Sequence, residues 1–199
     1  MKSQFSIILF LFISCVNRQD NVSVEFNRII PDTSKTWSGR MTGEAYEKTR
    51  NFEKSLKLEN LTDGSFQDEI RVWYLQSSYD NHVLFIAKTD SLKKWSLRTI
   101  SFYKNKSDSI YTDYSRPLRN SSIDSLDFSK LWKMKSQSDL ANGDTYSCKD
   151  GEDIFIELSQ RNKYRFLWYK CPEINKYKDS VFLTAWTLAD RLDAFAVEH

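Results

Sequence analysis

At 199 residues, with 40% hydrophobic and 15% aromatic content, the chain is long enough to bury one solid core and too rich in Trp and Phe to stay disordered. Its 29 Lys and Arg stand against 27 Asp and Glu, which leaves no field to gather nucleic acid or an acidic substrate. The charges are scattered, as on solvated faces.

The amino end is of a different kind. Lys2 is followed by the apolar run Phe5-Ser-Ile-Ile-Leu-Phe-Leu-Phe-Ile13 and then Ser14-Cys15, the positive start and short apolar centre of a secretory signal, too short for a permanent span. A small residue directly before a Cys, with Leu11-Phe-Ile13 upstream, resembles the lipobox of bacterial lipoproteins, from whose commonest form Phe12 departs. That resemblance implies that residues 1–14 are removed and that lipidated Cys15 is the link to a membrane; an ordinary cleaved signal is the alternative. Residues 15–36 are polar, carry one Pro and read as a flexible tether, and 37–199 as a single folded domain.

From Trp37 to Leu61 the pattern is open between helix and strand: apolar residues at 45, 46, 52 and 56 are weakly helical, while 52–58 alternates. After Thr62-Asp-Gly64 strands dominate. Glu69–Gln76, His82–Lys88 and Lys94–Tyr103 are rich in β-branched and aromatic residues and predict an antiparallel meander, with 109–114 as a further strand. The segment at 82–88 is apolar on both sides, as in a strand covered on both faces. Asp127–Leu140 reads as a helix capped by Asp127, with Phe128, Leu131, Trp132 and Leu140 as the inward candidates.

Asp153–Leu158 and Lys163–Tyr169 predict a hairpin whose turn centres on Gln160 and Arg161. Such a turn sets Cys148 nearly across from Cys171, with Gly151 free to absorb an offset as a bulge. A disulfide there suits an oxidising compartment, and with Cys15 lipidated it leaves no free thiol; two reduced buried thiols are the alternative. Pro172 then opens a helix running to Phe195, whose Val181, Phe182, Ala185, Leu188, Ala189, Leu192 and Phe195 share one face, leaving Lys176, Lys178, Asp190 and Asp193 to solvent. The expected class is α+β: an antiparallel sheet, meander plus hairpin, with this long amphipathic helix packed on it.

Glu69-Ile-Arg-Val-Trp-Tyr74, Lys94-Trp95, Leu131-Trp132, Lys163-Tyr-Arg-Phe166 and Pro172-Glu173 together resemble a small uncharacterised type of lipoprotein of the Bacteroidota. The resemblance covers residues 69–195 and is one of texture. It implies a cell-envelope location and brings no catalytic residue.

Motifs for chemistry are sparse. Five Gly and no Gly-rich phosphate loop argue against a nucleotide cradle, and no Cys or His pair has metal-ligand spacing, so neither cofactor nor metal is expected. Asp80 and His82 read as solvated turn residues rather than part of a triad, and Asp150, Glu152 and Asp153 as acidic turn residues at the hairpin entrance. Arg71 and Trp73, with Lys163, Arg165 and Tyr169, are candidates for a basic and aromatic face toward a glycan or a protein; the competing reading has Arg and Lys stems covering those aromatics. Asp90-Ser91, Asp108-Ser109, Asp124-Ser125 and Asp179-Ser180 are each followed by an aliphatic residue, which resembles the O-glycosylation signal of Bacteroides-type bacteria, with turns and helix caps as the plain account. The composite expectation is a membrane-anchored envelope lipoprotein facing the periplasm, a non-catalytic binding or structural module. The alternatives are an inhibitor or immunity protein against an incoming hydrolase or toxin, and a hydrolase working through carboxylates.

Overall fold

The computed structural model describes residues 27–30, 36–63, 65–76, 81–103, 110–118 and 128–197. In order these form β1 (Asn27–Ile29), α1 (Trp37–Ser55), β2 (Ser65–Gln76), β3 (Asn81–Thr89), β4 (Trp95–Tyr103), β5 (Ile110–Pro117), α2 (Phe128–Lys133), β6 (Glu152–Arg161), β7 (Lys163–Lys170), α3 (Pro172–Asn175) and α4 (Ser180–Val197). The strands make one seven-stranded sheet in the order β1-β7-β6-β2-β3-β4-β5.

The class is α+β, but the sheet is mixed where an antiparallel one was expected. β1 pairs parallel to β7, with Asn27 opposite Lys163. Its residues fall in the stretch read as tether, because three exposed residues are too few to show the period of a strand. The other pairs are antiparallel, and the meander joins the hairpin through β2 and β6, with Trp73 opposite Phe155.

Side-chain alternation gives the sheet two buried faces. Ile70, Val72, Phe85, Ile154, Ile156 and Leu167 meet α4, whose inward Phe182, Ala185, Leu188, Ala189 and Leu192 follow the expected stripe. Trp73, Leu84, Ile100, Phe155, Phe166 and Trp168 meet α1. The buried stripe of α1 is Ser38, Gly39, Thr42, Ala45, Thr49 and Glu53, small or polar at three- and four-residue spacing. Thr42 and Thr49 donate to the carbonyls of Ser38 and Ala45 at 2.8 Å, which satisfies their hydroxyls inside the helix and lets it lie close to the sheet.

Three boundaries differ from the expected ones. The hairpin turn lies one residue further on, at Arg161-Asn162, so Gln160 faces Lys163; the register moves by two residues and every side chain keeps its face. The helix expected at 127–140 stops at Lys133, where the Arg165 guanidinium donates to the carbonyls of Trp132 and Met134. The helix expected from Pro172 breaks, because Asp179 takes the amide of Val181 at 3.0 Å and starts α4 anew.

Cys148 and Cys171, 23 positions apart with Cα atoms 6.2 Å apart, are joined in a disulfide. A Cβ on Gly151 would strike both sulfurs, so this glycine gives the bridge its room rather than forming a bulge. Beyond β1 the margin of β7 is closed by side chains. The amide of Trp168 donates to Ser136 Oγ at 3.1 Å and that of Lys170 to Gln137 Oε1 at 2.8 Å, while Gln137 Nε2 donates to the carbonyls of Gly143 and Tyr146, each at 2.8 Å. Gln137→Ala would strand these groups and is expected to lower stability by about 2–3 kcal/mol; denaturant unfolding with hydrogen exchange at the Lys170 amide measures it, and an unchanged midpoint would refute the role.

Candidate functional site

Alternation along β2 puts Glu69, Arg71 and Trp73 on the α1 face, where they meet Glu157 of β6 and Arg50 and Glu53 of α1. Arg71 pairs with Glu69 at 2.6 Å and with Glu53, and donates to the Glu59 carbonyl at 2.8 Å. Arg50 pairs with Glu53 at 2.7 Å and with Glu157, and donates to Asn60 Oδ1 at 2.9 Å. The wholly buried Glu157 carboxylate also takes Trp73 Nε1 at 2.7 Å and the Tyr164 hydroxyl at 2.8 Å. Burial outweighs the two guanidinium groups and holds the Glu53 carboxyl above its ordinary range. Every charge here is answered within the chain, so the cluster orders the fold and leaves little to offer a ligand.

The five residues singled out as a ligand face do not share one. Arg71 and Trp73 lie buried on the α1 side, since the alternation that was read as outward points beneath a helix the sequence left open. Tyr169 is buried on the α4 side, its hydroxyl donating to the Lys135 carbonyl at 2.6 Å, and Arg165 caps α2. Lys163 alone is exposed, at a groove of about 560 Å³ with Ile29, Phe128 and Trp132. His82, read as a solvated turn residue, sits on the α1 face of β3, its ring 5.5 Å from Phe102 and 6.0 Å from Phe52. Glu152 and Asp153 point to opposite faces as strand neighbours must, Glu152 accepting from the Glu173 amide at 3.1 Å.

Cys15, Ser109, Ser125 and Asp80 lie outside the described residues. Of the Asp-Ser pairs within them, Asp90 forms the β3–β4 turn by accepting from the amides of Leu92 and Lys94, and Asp179 caps α4; Ser91 and Ser180 are exposed. Among the described residues no group of acidic, His or Cys side chains is placed to hold a metal. No helix among them is long and apolar enough to cross a membrane.

An open pocket of about 330 Å³ lies between α4 and strands β2 and β3. Val83, Phe85 and Ala189 form its apolar part, Tyr74 and Trp186 contribute rings whose centroids are 6.3 Å apart, and Gln76, Asp190 and Asp193 supply polar groups. Burial, and then the neighbouring Asp190, hold the Asp193 carboxyl above its ordinary range. One turn of α4 separates the two carboxyls, so they share one side of the pocket. Glycoside hydrolysis needs carboxyls that flank the bond being cut, whereas this arrangement can hold a ligand from one side. Asp190 and Asp193 are exposed, as the spacing predicts, and the pocket was missed because β2 and β3 form its other walls; the helical spacing of the two carboxyls beside the inward Ala189 was the available signal. Comparisons with protein-family models, with curated proteins and with solved structures returned no match.

Glu157→Ala leaves Arg50 without its most buried partner and is expected to cost about 3–5 kcal/mol in denaturant unfolding. Asp153, 3.9 Å from Lys170, shows the same balance as Glu53: burial raises its carboxyl above the ordinary range. The fold therefore prefers it protonated, and its penalty grows as pH rises from the unfolded carboxylate value of about 3.9 through the raised folded value. Asp153→Asn should be more stable than the parent at pH 7, with the difference vanishing below the unfolded value; a constant difference across a pH series would refute this.

Proposed function

We propose that the chain is a lipid-tethered module of the bacterial cell envelope that binds a small ligand and does not turn it over. The observation that carries the location is the use of cysteine. Of three in the chain, Cys148 and Cys171 are bonded to each other, and Cys15 directly follows an apolar run and a small residue. Binding is supported by the pocket between Tyr74 and Trp186, the place among the described residues where aromatic surface and open carboxylates meet. Two carboxylates on one side, with no nucleophile or metal group beside them, favour holding over hydrolysis.

A second reading, a blocker of an incoming hydrolase or toxin, is favoured by Ile174, Tyr177 and Leu183, large apolar side chains left exposed on the helices and turn that follow the disulfide. Capture of one stoichiometric hydrolase from envelope extracts, lost in Tyr177→Ser, would select it over the small-ligand reading.

Intact mass of the protein from membranes of its native host tests the location. Cleavage before Cys15, added acyl chains and the loss of two hydrogens for the bridge are expected. Retained Met1, no lipid and two free thiols would overturn it.

A further inference from the structure

We infer that the pocket between α4 and strands β2 and β3 takes an organic cation, an ammonium group carried on a compact apolar body. The inference rests on the small-ligand reading above and names the class of ligand. Among the residues that line the pocket two are carboxylates, Asp190 and Asp193, and none is Lys, Arg or His. The electrostatic surroundings reinforce this, since Glu152 and Glu173 act on the Tyr74 hydroxyl together with Asp193. An anion entering there is repelled by both lining carboxylates, Lys176 over Trp186 being the cation that stands against a lining ring, and a neutral sugar can donate hydroxyls to the carboxylates but does not offset their charge.

The rings supply the second half of the argument. Ammonium groups are drawn to the negative face of aromatic rings, to indole most strongly. The chain already shows this at the same residue: Lys176, which does not line the pocket, holds its ammonium 4.8 Å from the centroid of Trp186. Phe85, Val83 and Ala189 give the apolar body a dry surface, and about 330 Å³ is at the small end of ligand sites, which suits a head group rather than an extended chain.

The two carboxyls add a reason for the pocket to prefer occupancy. Asp190 disfavours ionisation of partly desolvated Asp193, and among the described residues no cation is resolved as acting on that carboxyl. A bound ammonium between them removes the repulsion, so ligand and carboxylates stabilise each other.

The test is calorimetric titration of the full-length chain in detergent at low ionic strength with benzylammonium, benzyl alcohol and benzoate, which share one body and differ in charge, and with N-acetylglucosamine as an uncharged sugar, with detergent alone as the blank. Benzylammonium should bind at least about tenfold more tightly than either analogue, weaken by about tenfold in Asp190→Asn/Asp193→Asn, and be lost in Trp186→Ala, with the salt sensitivity of a charge contact. Both substitutions fall on α4, so thermal melts of each variant establish that the fold is kept; if Trp186→Ala does not fold, Trp186→Leu takes its place. Equal binding of benzyl alcohol, or binding of N-acetylglucosamine that the Asp→Asn changes leave untouched, overturns the cation and leaves the pocket a binding site. Failure of all four probes overturns the inference and the small-ligand reading together.

Discussion

A carboxylate with no access to water is the constraint to which the rest of the structure answers. Glu157 lies on β6 in the middle of the sheet, and an unpaired charge there would cost several kcal/mol even after relaxation. Three donors meet it, and each comes from a different element: Arg50 from α1, the Trp73 indole from β2 and the Tyr164 hydroxyl from β7. The position of α1 over the sheet follows, because Arg50 reaches Glu157 only when the helix lies across β6 and β7 with its small residues inward. The ring of Tyr46 beside Tyr164 and Phe166, and that of Phe52 beside Trp73, fill the flanks that those small residues leave open. One charge thus orients a helix that apolar burial alone would place less specifically.

The two faces of the sheet divide the labour. On the α1 side polar groups are numerous and most are paired, three carboxylates against two guanidinium groups with neutral donors completing the set. On the α4 side the interior is almost wholly apolar, and polarity gathers at the margin, where Asp190 and Asp193 stand over aromatic surface. The first arrangement makes the fold rigid and specific, and the second leaves chemistry exposed on a firm support.

How much of this the sequence disclosed depended on the size and periodicity of the residues concerned. The hairpin of β6 and β7, the meander and the inward face of α4 were legible because large apolar residues recur there at the period of the element. So was the Cys148 to Cys171 pairing, even with the turn placed one residue early, since a shift of two in register preserves both faces. Helix α1 was not, because its buried side is Ser38, Gly39, Thr42, Ala45 and Thr49, residues that hydropathy counts as nothing. Strand β1 was hidden for a related reason, three exposed residues being too few to show a period. Arg71 and Trp73 were misplaced as a consequence: with the covering helix unrecognised, one side of the sheet looked open. The pocket drew on β2, β3 and α4 at once, and only tertiary packing brings those segments together.

The pairing of β2 with β6 has a consequence for how the chain meets its surroundings while it is being made. Trp73 and its partner Glu157 are 84 positions apart, and everything that completes the centre of the sheet comes from the last quarter of the chain. A polypeptide that emerges amino end first from a ribosome therefore presents β2 with one side unpaired until β6 follows it. High contact order of this kind delays closure and leaves a strand edge open to wrong partners in the interval.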